Sequence, residues 1–98
     1  MNYKQLSEVF KILSNDKRLE ILDLLSCGEL CACDIQKKFN VTQPTLSYDM
    51  KLLKEASLIE ERIEGRSHYY RINQEYFKNI RDIFNQLTRE KATCCCHR

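Results

Sequence analysis

Apolar residues fall at three- and four-residue spacing along most of this chain, and switch to an extended pattern only between residues 58 and 72. Leu6, Val9, Phe10 and Leu13 follow the i, i+3, i+4, i+7 rule, so the first stretch predicts an amphipathic helix from about Asn2 to Leu13. Ser14, Asn15 and Asp16 then supply stop and cap chemistry, because short polar side chains bond the free backbone N–H groups of a new helix start. Leu19, Ile21, Leu22, Leu24 and Leu25 predict a densely apolar second helix that ends at Ser26-Cys27-Gly28, where glycine tolerates the positive φ of a cap. A short third helix is expected from about Cys33 to Phe39, with Asn40 ending it in the left-handed conformation. Thr42 is the expected cap of a fourth helix, with Pro44 in its first turn, where a missing N–H does no harm. Leu46, Met50 and Leu53 form the inner face of this helix. Ser47, Tyr48 and Lys51 form the outer one, with Gln43 and Thr45 at the exposed N-terminal end.

Beyond the fourth helix the pattern changes. Residues 58–63 and 67–72 are rich in β-branched and aromatic side chains and flank Glu64-Gly65-Arg66, which predicts a β-hairpin with Arg66 at its tip and Arg62 and His68 close behind. From Gln74 to about Lys91 the helical spacing returns, with Tyr76, Phe77, Ile80, Ile83, Phe84 and Leu87 recurring at three and four. Two short helices joined by a tight turn are the helix-turn-helix signature, against the plainer reading of a helical hairpin in a bundle. The hairpin that follows at once favours the first reading, because it gives the order of a winged helix-turn-helix: α-α-α-α-β-β-α, α+β but mostly α. The stripe on the last helix is too apolar for a lone surface helix, and with Leu6, Val9, Phe10 and Leu13 it predicts a homodimer interface. A helix-turn-helix reader also acts as a two-fold pair on two half-sites.

Composition narrows the class. Ninety-eight residues make one domain, with 74–91 as its dimerisation helix and 92–98 as a cysteine-rich tail. No apolar run reaches the ~20 residues of a membrane span, and the N-terminus has no signal-peptide core, so a cytoplasmic protein is expected. The net charge of +2 lies entirely in residues 74–98, with five Lys/Arg against three Asp/Glu. There is thus no basic stripe, and any affinity for double-stranded DNA has to rest on pattern. In that reading Thr42, Gln43, Thr45, Ser47 and Tyr48 face the groove, with Lys51 and Arg66 toward phosphate or the minor groove and His68 on the wing facing phosphate or solvent. A solvated polar face is the plainer alternative. No acid/base constellation or nucleotide loop argues for an enzyme.

Six cysteines in a cytoplasmic chain point to metal or redox chemistry before disulfides. Cys31 and Cys33 are two apart, and residues two apart in a regular helix point ~200° away from each other. They can share one ion only if Cys31 precedes the helix and Cys33 caps it, or if the first turn is distorted. A helix N-terminus is expected to lower a thiol's pKa. Thiolate sites select soft ions, and a third donor is available in the tail from Cys94, Cys95 or Cys96, of the same subunit or the partner. Cys27 reads as a buried apolar filler, and His97 as a solvated terminal side chain.

Three segments together resemble the ArsR/SmtB family of metal-responsive repressors. They are LSNDKRLEILDLL from Leu13 to Leu25, ELCACDI from Glu29 to Ile35, and TQPTLSYDMKLLKEASLI from Thr42 to Ile59. The resemblance implies an operator-binding repressor released when an ion binds the ELCACDI cysteines. It is nearest the arsenic-sensing branch, which implies As(III) or Sb(III) on three thiolates. Cd(II), Pb(II) or Zn(II) would suit four. The cadmium/lead branch draws on cysteines of an N-terminal arm, and this chain has none before Cys27; the zinc branch uses Asp, His and Glu of the last helix, and this helix has no His before His97. Three departures matter. Asp16 stands where the family often has Pro. Asp49 stands where His is common, which would put an acid on the recognition helix. Gln36 stands where a third cysteine often lies, so the third ligand has to come from elsewhere. A thiol redox sensor on the same fold, and a cysteine-based metal-sequestering protein without DNA binding, remain the alternatives.

Overall fold

Each helix begins where a short polar side chain can close the first turn. The computed structural model describes residues 1–90, and in them Asn2, Asn15, Thr42 and Asn73 all accept a backbone N–H three residues ahead. The helices they start are α1 (Tyr3–Leu13), α2 (Asp16–Leu25), α4 (Gln43–Glu55) and α5 (Gln74–Thr88). Asn2 and Gln5 cap reciprocally, at 2.8 and 2.9 Å. The remaining helix, α3 (Ala32–Phe39), begins on Cys31 and ends on Asn40, which takes the left-handed conformation at φ 53°, ψ 45°. Helix α5 stops at Thr88 rather than running to Lys91.

The hairpin pairs β2 (Ile59–Glu64) with β3 (Ser67–Ile72), Glu64 opposite Ser67. Gly65 and Arg66 make the two-residue turn. Gly65 alone of the two has positive φ, at 61°, as a type II′ turn requires. One strand was not expected. Leu30–Cys31 form β1, which pairs antiparallel with β3, Leu30 opposite Tyr70 and Cys31 opposite Tyr69. The sheet order is β1-β3-β2, and the chain reads α-α-β-α-α-β-β-α.

Ile21, Ile35, Leu53 and Leu58 are fully buried at the centre, one each from α2, α3, α4 and the approach to the wing. Leu6, Val9, Leu25, Leu46, Met50, Ile59 and Ile80 complete the core. The helix-turn-helix is therefore clamped between α2 and the foot of the hairpin. α1 and α5 meet through Phe10 and Phe84, edge to face with ring centroids 6.2 Å apart. Both rings remain 45% exposed, and Leu87 52%. No helix among the described residues is long and apolar enough to cross a membrane.

Candidate metal site and nucleic-acid interface

Cys31 holds two positions at once. It ends β1 and is the N-cap of α3, with extended backbone (φ −81°, ψ 158°). Its Sγ accepts the Asp34 amide at 3.3 Å, the part a serine oxygen plays in an ordinary cap. Cys33 lies at the second helical position, exposed. The cap is thus Cys31, not Cys33. This resolves the geometric problem of the spacing, because the chain reaches Cys31 as a strand and leaves it as a helix. The ligand atoms of Cys31, Cys33 and Asp34 lie within 4.8 Å of one another.

The expected lowering of thiol pKa is not found at Cys31, whose pKa is raised instead. The first cause is hydrogen bonding with the Cys33 thiol. The Asp34 amide pulls the other way, and the Asp34 carboxylate adds to the rise. Two thiols and a carboxylate this close resist becoming anions together, and a bound soft cation would lift that resistance. The donor set fits a thiophilic ion with two sulfurs and one oxygen. Among the described residues no third sulfur joins the cluster. Cys27 is exposed rather than a buried filler, because it sits in the turn that follows α2. Cys94, Cys95, Cys96 and His97 lie outside the described residues.

The outer face of α4 forms as the periodicity requires. Thr42, Gln43, Thr45, Ser47, Tyr48 and Lys51 are all exposed, Tyr48 by 60%. Arg66 is exposed at the tip of the wing. A cleft of about 450 Å³ brings these groups together, for Cys31, Cys33, Gln43, Ser47, Arg66 and His68 all line it. The sulfur pair, the start of α4 and the wing tip therefore open on one space.

Glu61 anchors the floor of that cleft. Its carboxylate meets Lys54 Nζ at 2.7 Å and His68 Nδ1 at 2.7 Å, and accepts the Tyr70 hydroxyl at 3.0 Å. Lys54 and then His68 hold its pKa down to about 2, while burial and Glu61 push Tyr70 up to about 12. His68 thus leans on Glu61 instead of standing free toward phosphate. Arg62 lies close behind the tip, as expected, and its side chain has a structural duty. It donates to Glu29 at 2.8 Å and to Glu64 at 3.1 Å, and its guanidinium lies 4.5 Å from the centre of the Tyr69 ring. It ties the wing back to the segment leading into β1.

Asp49 overturns a further expectation. It does not present an acid to the groove. It is buried, 4% exposed, and faces inward to Lys17 at 2.7 Å and Arg18 at 3.1 Å. The signal was in the sequence, because 46, 49, 50 and 53 fall on one helical face.

The description "Bacterial regulatory protein, arsR family" matches residues 15–61, from the cap of α2 into the wing. The chain is 47% identical to the arsenical resistance operon repressor of Staphylococcus aureus over 98% of its own length and 92% of that protein. It is 46% identical to the repressor of the same name from Staphylococcus xylosus, with the same coverage. Among solved structures it is similar to the homodimeric winged helix-turn-helix DNA-binding domain of a possible ArsR-family regulator from Mycobacterium bovis. The two share a TM-score of 0.71 and 30% identity over 97% of this chain and 89% of that one. The chain belongs to the arsR family of bacterial regulatory proteins, and is a winged helix-turn-helix transcriptional repressor rather than an enzyme.

Proposed function

We propose that this repressor is a cytoplasmic homodimer that binds a two-fold operator when free of metalloid and releases it when As(III) or Sb(III) binds Cys31, Cys33 and one of Cys94, Cys95 and Cys96. The single observation that carries this reading is the shared cleft of Cys31, Cys33, Gln43, Ser47 and Arg66. An ion on the sulfurs lies beside the groups offered to DNA, so the two ligands cannot be indifferent to each other. Arsenous acid exchanges three hydroxyls for three thiolates, and each thiol proton leaves as water with the displaced hydroxide. Cys31 is paired in register with Tyr69 of the wing, and Cys33 rides on the first turn of α3. Drawing both to one centre, with a third sulfur from the tail, strains the wing against α3 and α4. A coupling of ~1–3 kcal/mol gives a useful response.

The interface residues of this reading are Thr42, Gln43, Thr45, Ser47 and Tyr48 for the groove, with Lys51 and Arg66 toward the backbone, while His68, held by Glu61, braces the wing beside them. Residues 1–98 act as one unit, in which 74–91 supply the dimer contact and 92–98 the third donor. Exposed Phe10, Phe84 and Leu87 support that contact, as does the homodimeric relative. Operator retardation with and without arsenite is the test. Wild type is expected to release; Cys31→Ser and a chain truncated after Thr93 are expected to stay bound. Release of Cys31→Ser by arsenite would place the sensing elsewhere.

The carboxylate of Asp34 beside the two sulfurs favours a second reading, a Cd(II), Zn(II) or Pb(II) sensor on the same fold. Competition between arsenite and Cd(II) for the wild-type thiols, followed by thiolate absorbance, separates the two.

A further inference from the structure

Asp49 is the one charged residue in the core among the described residues, and it lies apart from both the sulfur pair and the exposed face of α4. It sits on the inner face of α4 between Leu46 and Leu53, its side chain 5% exposed. Both its cationic partners, Lys17 and Arg18, come from the first turn of α2. Arg18 has a second bond. While Nε donates to Asp49 at 3.1 Å, Nη1 donates to the Ile12 carbonyl, in the last turn of α1, at 3.2 Å. One guanidinium therefore spans the recognition helix and α1.

The apolar neighbours cannot replace that span. Leu46, Met50 and Leu53 pack by volume and tolerate small rotations of the helix. A charge-assisted hydrogen bond is directional. Burying a carboxylate costs several kcal/mol that a leucine would not, so what the ion group adds is defined geometry more than net stability. The geometry matters at this helix. A rotation of α4 by ~20° carries an atom ~6 Å from its axis through ~2 Å. That is more than a hydrogen bond to a base edge accepts.

We propose that Asp49 and Arg18 are positioning residues for operator recognition. Their bridge from α4 to α1 sets the orientation of each recognition helix relative to the dimer axis, and with it the half-site spacing that the dimer accepts. This rests on the dimeric operator-binding reading. The effect is separate from general stability, which lowers affinity for all spacings alike.

The experiment selects operators from a randomised duplex pool with full-length wild type, Arg18→Lys and Asp49→Asn. Wild type is expected to enrich paired half-sites at one spacing. Both variants are expected to enrich pairs that spread by about one base pair, ~3.4 Å of rise, to either side. Their affinity for the wild-type duplex is expected to fall about tenfold, the scale of one good base contact. Circular dichroism and sedimentation check that each variant is folded and associates as wild type does. Arg18→Lys keeps the charge and most of the bulk, so it carries the test if Asp49→Asn does not fold. An unchanged, single spacing in a folded variant overturns the proposal, even if affinity drops. Should wild type itself enrich isolated half-sites with no defined spacing, the dimeric reading fails and takes this one with it.

Discussion

Glu61 is the residue on which the wing's charges converge, and it makes the wing acid-sensitive. Its folded pKa of about 2 lies below the ordinary 4.5. A depressed carboxylate contributes stability above its unfolded pKa and loses it as pH falls through the folded value, so the loss runs from about pH 4.5 to about pH 2. Urea unfolding of wild type is expected to weaken across that window, and Glu61→Gln to weaken less, with a lower starting stability at pH 6. Equal slopes for both proteins would remove Glu61 from the account. Single residues were also where sequence reading fared most unevenly. Asn15, Asn40 and Thr42 could be read directly, because capping and left-handed turns depend on one side chain and its neighbours. Cys27 could not. Cysteine is among the most buried residue types, and only the turn after α2 decides that this one is exposed. Asp49 was hidden by its charge, although its spacing put it inside.

At the scale of elements, the helices and the wing were legible because each carries its own periodicity and its own punctuation. Strand β1 was not. Two residues have no alternation, and Leu30 and Cys31 become a strand only because Tyr69 and Tyr70 are opposite them. This missed element is the one that joins the sulfur pair to the wing. The wing's own duty is testable. With Arg66 toward phosphate, as proposed, Arg66→Ala is expected to weaken DNA binding about equally on all sequences and to lower the salt slope by about 1. Gel shifts over a range of salt read this out. A change confined to certain base pairs would instead make Arg66 a reader of sequence.

Across the whole molecule, α1 and α5 present an apolar face that no other described residue covers. The long dimension is 56 Å against 22 and 20 Å for the others, an extended shape for a chain of this length. A second copy would cover Phe10, Phe84 and Leu87. Phe84→Glu is expected to yield a folded monomer in sedimentation and to lose operator binding by more than tenfold, since each half-site then binds alone. A dimer that survived Phe84→Glu would move the interface to another face. Here the sequence spoke only in part. The stripe was visible, but which of its residues turn outward depended on how α5 meets α1.

The dual place of Cys31 bears on how the repressor changes under mutation. Its structural duties are to lie extended and to accept one amide, and serine performs both. A single base change converts a cysteine codon to a serine codon. On the sensing role proposed for Cys31, the route to a repressor that folds, binds DNA and no longer responds is therefore one step long. Populations relieved of metalloid should accumulate such uninducible alleles more readily than alleles that lose the fold.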